Sequence, residues 1–338
     1  MPFARTVIGT LGLAAAALAS AAASGPTGPL LGQGKPVALP ALFAPGIVNE
    51  GLPVRDLAVS PDGKEIVWTV CFGGGPVVLV GTREEEAGWT TPEVLPFARE
   101  PGRSFLEPCF GPDGRTLFFG ADGGTMPDGR TNWDLFVVPR TPDGWGAPRR
   151  IEGGVNTEAN EYFPSLTADG TLYFCRDEMP RSRAHFLYRA PRAEDGTYPE
   201  AIRLGAPLNG LPSQFNAFVA RDESLLVFAG APKAGGVGGI DYLVSFRRAD
   251  GAWSEPVVLP EPVSTRGNEE YSASLSPDGA ALFFMSTRGL DDGTKTPVPW
   301  TLDRLRAHAR SPGSGRSGIW WIDAALLERL RREARFRE

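Results

Sequence analysis

Apolar residues along this chain come in short runs, and each run is fenced by Gly, Pro, Asp or Ser. Five pairs of runs flank a tight turn. Leu57-Ala58-Val59 precedes Ser60-Pro61-Asp62-Gly63, and Ile66-Val67-Trp68 follows it. Pro108-Cys109-Phe110 and Leu117-Phe118-Phe119 flank Gly111-Pro112-Asp113-Gly114 in the same way. The arrangement returns around Thr167-Ala168-Asp169-Gly170, around a degenerate Arg221-Asp222-Glu223-Ser224, and around Ser276-Pro277-Asp278-Gly279. Successive turns start 51, 56, 54 and 55 residues apart. Pro presets φ at the first central turn position, Asp bonds its own backbone, and Gly accepts a positive φ. Each unit therefore predicts a β-hairpin. An aromatic stands six residues after the turn Asp in four units (Trp68, Phe119, Phe228, Phe284); in the third it is Phe174, one residue earlier.

A third run follows each hairpin: Val77–Val80, Leu135–Val138, Phe186–Tyr188, Tyr242–Val244 and Ile319–Ile322. A fourth opens on an aromatic with Pro close behind, at Trp89, Trp145, Tyr198 and Trp253. Four short strands in about 55 residues make one blade of a β-propeller. The fold class expected is thus all-β, a propeller of five four-stranded blades, with six blades as the alternative. The fifth repeat lacks its fourth strand, and Val37-Ala38-Leu39-Pro40, running on to Asn49-Glu50, parallels Val257-Val258-Leu259-Pro260, running on to Asn268-Glu269. The N-terminal segment is expected to close blade five and so protect the sheet edges. Beyond Ile322 the apolar spacing of Ala324, Leu326, Leu327, Leu330 and Ala334 predicts a helix. The expected organisation is a signal peptide over 1–24, a linker over 25–36, the propeller over 37–322 and a C-terminal helix over 323–338.

Asn160-Glu161-Tyr162-Phe163-Pro164-Ser165-Leu166, its Asp-Gly turn and Leu172-Tyr173-Phe174 resemble the TolB-like (WD40-like) β-propeller repeat. Residues 268–284 resemble it too, and Gly235–Tyr242 is similar to the Gly-rich segment before that family's third strand. The resemblance implies the fold over residues 37–322. It leaves function open, because such repeats serve envelope proteins, sensor modules and propellers attached to hydrolases.

Composition agrees with a turn-rich β protein: 42 Gly and 32 Pro in 338 residues, with 42% hydrophobic residues. The net charge of −6 and the lack of a continuous basic stripe before the C-terminus argue against a nucleic-acid partner. Arg5, the apolar run Thr6–Ala17 and the small residues up to Ser24 read as a cleaved signal peptide, and no cysteine stands near the cleavage region. The destination expected is periplasmic or secreted, without lipid anchor or stable membrane insertion. Cys71, Cys109 and Cys175 are an odd number, so at least one is unpaired or bonded to another molecule.

The innermost strand of each blade lines the channel. Its entry residues are Asp56, Glu107, Glu161 with Tyr162, Gln214 with Phe215 and Asn216, and Glu270 with Tyr271. Acids and aromatics at one mouth suit a cation or the polar groups of a partner. The alternative is structural: Glu and Asn of the entry motif bond neighbouring loop backbone. A second candidate surface is the blade-five insertion over residues 287–317, with Trp300, Arg304 and the amphipathic run Leu302–Ala309. Only His185 and His308 could serve a zinc site or a catalytic triad, no G-x-S-x-G is present, and the Gly-rich loops lack a following Lys-Ser/Thr. No cofactor is expected. The reading is a monomeric, non-catalytic binding module for a protein or cell-envelope component. The alternative is a glycosidase-like enzyme using the mouth carboxylates.

Overall fold

The computed structural model describes residues 25–125, 131–179, 184–232, 235–289, 299, 301–311 and 313–337. The signal-peptide reading of residues 1–24 and Trp300 lie outside them.

Five small antiparallel sheets form a ring, a five-bladed propeller. Blade one carries Val54–Val59, Glu65–Cys71, Val77–Glu85 and the short outer strands Gly88–Trp89 and Glu93–Val94. Blade two repeats this with Phe105–Phe110, Thr116–Thr125, Thr131–Thr141, Gly144–Trp145 and Arg149–Arg150. Blade three has Asn160–Leu166, Leu172–Met179, Ala184–Ala190 and Ile202–Arg203, and blade four Gln214–Val219, Leu225–Gly230, Asp241–Phe246 and Val257–Val258. Blade five takes Ala273–Leu275, Ala281–Ser286 and Gly318–Asp323 from one end of the chain and Ala41–Leu42 from the other. Ala41 pairs with Trp321 and Leu42 with Trp320. The regular ladder begins just after Pro40, which has no N–H to donate, and Val37 O already accepts from Asp323 N–H at 2.9 Å.

The second strand of each blade is apolar on both faces because each face meets a different neighbour. Trp68 packs toward blade five and Val67 toward blade two; Phe119 and Phe118, Phe174 and Tyr173, Phe228 and Val227, and Phe284 and Phe283 divide in the same way. The core is therefore five separate layers, one between each pair of blades. The aromatic after every turn Asp faces the preceding blade.

All five hairpin turns share one carboxylate bond, although the third, closed by Thr167 N–H to Thr171 O, is one residue shorter than the rest. The Asp carboxylate accepts from the N–H two residues on, at Lys64, Arg115, Thr171, Ser224 and Ala280. The fourth turn begins one residue earlier than its sequence suggests. Ala220 N–H donates to Leu225 O as Ser60 N–H does to Glu65 O, so the turn is Ala220-Arg221-Asp222-Glu223. Glu223 takes the left-handed place of glycine, with φ 59°.

The C-terminal helix Ala325–Arg331 buries Leu326, Leu327 and Leu330 against blades four and five. Residues 25–34, read from composition as a linker, lie along the outer edge of blade one. Leu31 is buried there, and Trp89 donates its backbone N–H to Pro26 O and its indole N–H to Gly28 O.

Candidate functional site at the channel mouth

The innermost strands share a device with no common residue type. Each has one residue in the left-handed region, within the strand at Asp56 (φ 56°), Glu107 (57°), Phe163 (53°) and Asn216 (49°) and just before it at Ser272 (66°). Each stands four residues before the first residue of its hairpin turn. In blades one to four the ladder shifts register at that point. A β-bulge of this kind re-aims side chains and strengthens the local twist. The five left-handed residues are all buried, whereas the residues just before them (Arg55, Leu106, Tyr162, Phe215 and Tyr271) are all partly exposed. The upper mouth is built from this second set and the buried belt beneath it from the first.

The belt and the strands around it are tied across every interface. Glu107 N–H donates to Thr69 Oγ1 (3.0 Å), Phe163 N–H to Glu107 Oε2 (2.8 Å) and Val219 N–H to Ser165 Oγ (2.9 Å). Asn216 Nδ2 donates to Ser272 Oγ (2.9 Å), and Ser274 Oγ–H to Leu57 O (2.7 Å). Below the belt a cavity of about 830 Å³ runs toward the hairpin turns and meets Leu327 and Arg331 of the C-terminal helix.

Asp56 and Glu107 lie in the belt and share one guanidinium. Arg55 donates from Nε to Asp56 (2.8 Å) and from Nη2 to Glu107 (2.6 Å), and rests over the Tyr271 ring at 4.7 Å. Burial pushes the Glu107 carboxyl up to about 7; Asp56 adds to the rise, while Arg55 and the Phe163 N–H oppose it.

Glu161, Gln214 and Glu270 stand two residues before the belt position and are fully buried. Glu161 accepts from Thr157 N–H (3.1 Å), Thr157 Oγ1 (2.6 Å) and Arg176 Nε (2.7 Å). Glu270 repeats this set with Thr265 and Arg288. Gln214 accepts from Leu211 N–H and donates to His185 O. These three side chains brace the loops that enter their blades. For both glutamates burial raises the carboxyl, and the Thr and Arg donors oppose the rise.

Around the mouth the rings form an arc. Tyr162 stacks on His185 (centroids 5.9 Å apart), His185 meets Phe215 (5.7 Å), and Phe215 meets Tyr271 (6.3 Å). Asp177 and His185 face each other across one strand pair, and the Tyr162 hydroxyl reaches Asp177 Oδ2 at 3.4 Å. Sequence reasoning missed Arg55, Asp177 and His185 as mouth residues. Their signal was positional: Asp177 lies near the end of a second strand, and His185 near the start of a third, at the end where the inner strands enter.

The blade-five insertion connects its second and third strands at this same end. Its helix Leu302–Arg310 is capped by Thr301 Oγ1, which accepts from Arg304 N–H, and Arg304 Nη1 donates to Pro299 O. Leu302 and Leu305 are exposed. In blade four the Gly-rich loop turns its amides inward, Val237 and Gly238 donating to the buried Asp241 carboxylate. Among the described residues no group of three or more His, Cys, Asp and Glu could hold a metal ion, and no helix is long and apolar enough to cross a membrane.

No family model and no curated protein matches the sequence. Solved structures do resemble the fold. The alpha-L-arabinofuranosidase from Lactobacillus brevis is 12% identical, with 81% of this chain and 92% of that one covered and a TM-score of 0.50. TolB from Acinetobacter baumannii is 16% identical over 70% of this chain, with a TM-score of 0.45, and this chain spans 51% of that one. The putative TolB from Agrobacterium tumefaciens is 15% identical, over 80% of this chain and 90% of that one, with a TM-score of 0.46. At these identities the likeness is one of fold alone.

Proposed function

We propose that this chain is an exported, non-catalytic binding module that engages a protein or another cell-envelope component through the upper mouth and the blade-five insertion. The observation that carries this reading is the division of labour among the mouth residues. Glu161 and Glu270 are spent on their entry loops, and the Arg55 guanidinium fills the space between Asp56 and Glu107. The partly exposed set is Arg55, Leu106, Tyr162, Phe215 and Tyr271, mostly aromatic, which is the composition of a recognition surface. The exposed Leu302 and Leu305 at the same end extend it. The test is capture from a cell-envelope extract by the wild-type protein and by the triple variant Tyr162→Ala, Phe215→Ala, Tyr271→Ala, each first shown to be folded and monomeric by light scattering. A partner held equally well by both sinks the mouth as the binding surface.

A glycosidase-like reading has one specific support. Glu107, with its carboxyl near 7 and Asp56 close by, is suited to donate a proton at neutral pH. Hydrolysis of any member of an oligosaccharide panel, abolished by Glu107→Gln, replaces the binding reading with this one.

A further inference from the structure

Among the described residues, blade three brings two buried polar atoms without hydrogen-bond partners to the mouth, Asp177 Oδ1 and His185 Nδ1; a third such atom, Asp56 Oδ2, lies against the Arg55 guanidinium. The first two come from cross-strand neighbours on the same face of blade three. Asp177 is 6% exposed, and among the described residues the other atom of its carboxylate meets only the long 3.4 Å contact from Tyr162. A buried acceptor left unpaired costs free energy comparable to a lost hydrogen bond, so such a pair calls for an occupant. The surroundings narrow its chemistry. The Arg55 guanidinium is taken up by Asp56 and Glu107, the neighbouring Arg176 is engaged by Glu161 and by Gly154 and Val155 carbonyls, and no cation pairs with Asp177 among the described residues. The walls are the faces and edges of Tyr162, His185 and Phe215, and aromatic rings attract cations.

We propose that the mouth binds a primary ammonium group between Tyr162, His185 and Phe215, with Asp177 as its counter-ion, an assignment that rests on the binding-module reading. An ammonium carries three donors and no acceptor, so one group can satisfy Asp177 Oδ1 and the imidazole Nδ1 together. Burial lowers the imidazole's pKa more than Asp177 raises it, which keeps the ring neutral and able to accept. The ammonium comes from a lysyl side chain of a protein partner or from a small free amine.

The experiment follows the imidazole ring resonances, which are simple to assign in a chain with two histidines, using a His308→Gln variant as reference. n-Butylamine is titrated against n-butanol, its neutral isostere. A saturable shift of the His185 signals with the amine, none with the alcohol, and at least a tenfold weaker affinity in Asp177→Asn is the expected result. Equal shifts with the alcohol, or an unchanged affinity in Asp177→Asn, overturn the proposal. Titration with N-acetyl-Gly-Lys-Gly-amide and with putrescine then separates the two sources, the tighter ligand naming its class. Failure of the amine while envelope capture still depends on Tyr162, Phe215 and Tyr271 removes the ammonium site and leaves the binding module standing. Loss of that dependence alone removes the module.

Discussion

Asn49 meets Ile319 across the seam of the ring. Its side-chain amide accepts from Ile319 N–H at 3.0 Å and donates to Ile319 O at 2.9 Å. The same bracket joins Asn156 to Leu135 in blade two and Asn209 to Leu187 in blade three. Asn49 thus performs in blade five what the asparagine after a fourth strand performs elsewhere. Asn49→Ala leaves buried backbone groups of the third strand unpaired and should lower unfolding free energy by about 1–3 kcal/mol. Chemical denaturation measures this, and a change within experimental error contradicts it.

The Arg55 bridge has a sharper signature. Arg55→Met leaves Asp56 and Glu107 as uncompensated neighbours in the belt, and breaking a buried pair in this way costs roughly 3–5 kcal/mol. The loss should be largest at pH 8 and shrink toward pH 5 as Glu107 takes up a proton.

Glu107 itself predicts a slope in wild-type stability. Its folded value of about 7 lies above the ordinary 4.5, so the native state binds more protons than the unfolded chain between those values. Stability from this group is therefore full below the unfolded value and declines as pH rises through the folded one, by up to roughly 3 kcal/mol. The turn carboxylates Asp62, Asp169, Asp222 and Asp278 are lowered and act in the opposite sense, losing their contribution as pH falls. Denaturation midpoints of wild type and Glu107→Gln between pH 4.5 and 8 isolate the term. Parallel curves would show that Glu107 titrates normally.

Much of this architecture is written in the chain and part of it is not. Turns, strands and the chain-end closure are legible because Pro-Asp-Gly geometry and doubly apolar strands are local properties. The mouth is harder to read because the left-handed residues are Asp, Glu, Phe, Asn and Ser, and none announces a positive φ as glycine does. Without that bulge the face of each neighbouring residue is undetermined, since a slip of one residue reverses every side chain. Glu161 and Glu270 therefore align by eye with Asp56 and Glu107, although they stand two positions earlier and point into their own loops. The fourth turn shifts by one for a similar reason: Glu223 holds the glycine position and is anchored there by Arg247 and by the Tyr173 hydroxyl.

That difference between the entry-loop braces and the mouth is measurable. Glu161→Ala should cost about 2–4 kcal/mol, because it removes the counter-charge of the mostly buried Arg176 and the acceptor of the Thr157 amide. Tyr162→Ala, one residue away and partly exposed, should cost less stability and more partner affinity. The reverse ranking in paired denaturation and binding measurements contradicts the assignment.

The thiols give an independent check of burial. Cys71, Cys109 and Cys175 are all unpaired. Burial raises Cys71, pushes Cys109 up to about 11 and holds Cys175 far above the ordinary range. A disulfide reagent at pH 8 should react slowly with the native protein, Cys71 first, and with three equivalents once the chain is unfolded. Rapid native labelling of Cys175 would contradict its placement in the core.

The two-residue strand Ala41–Leu42 also decides how the molecule comes apart. In an open stack of repeats the end unit loses a single interface when it melts, so stability frays unit by unit. In a ring no unit is terminal, and the melting of any blade forfeits two of the five core layers. A closed propeller therefore unfolds as one cooperative block. Opening the seam between Leu42 and Trp320 turns the same five blades into a linear array, whose denaturation curve broadens even where its midpoint hardly moves.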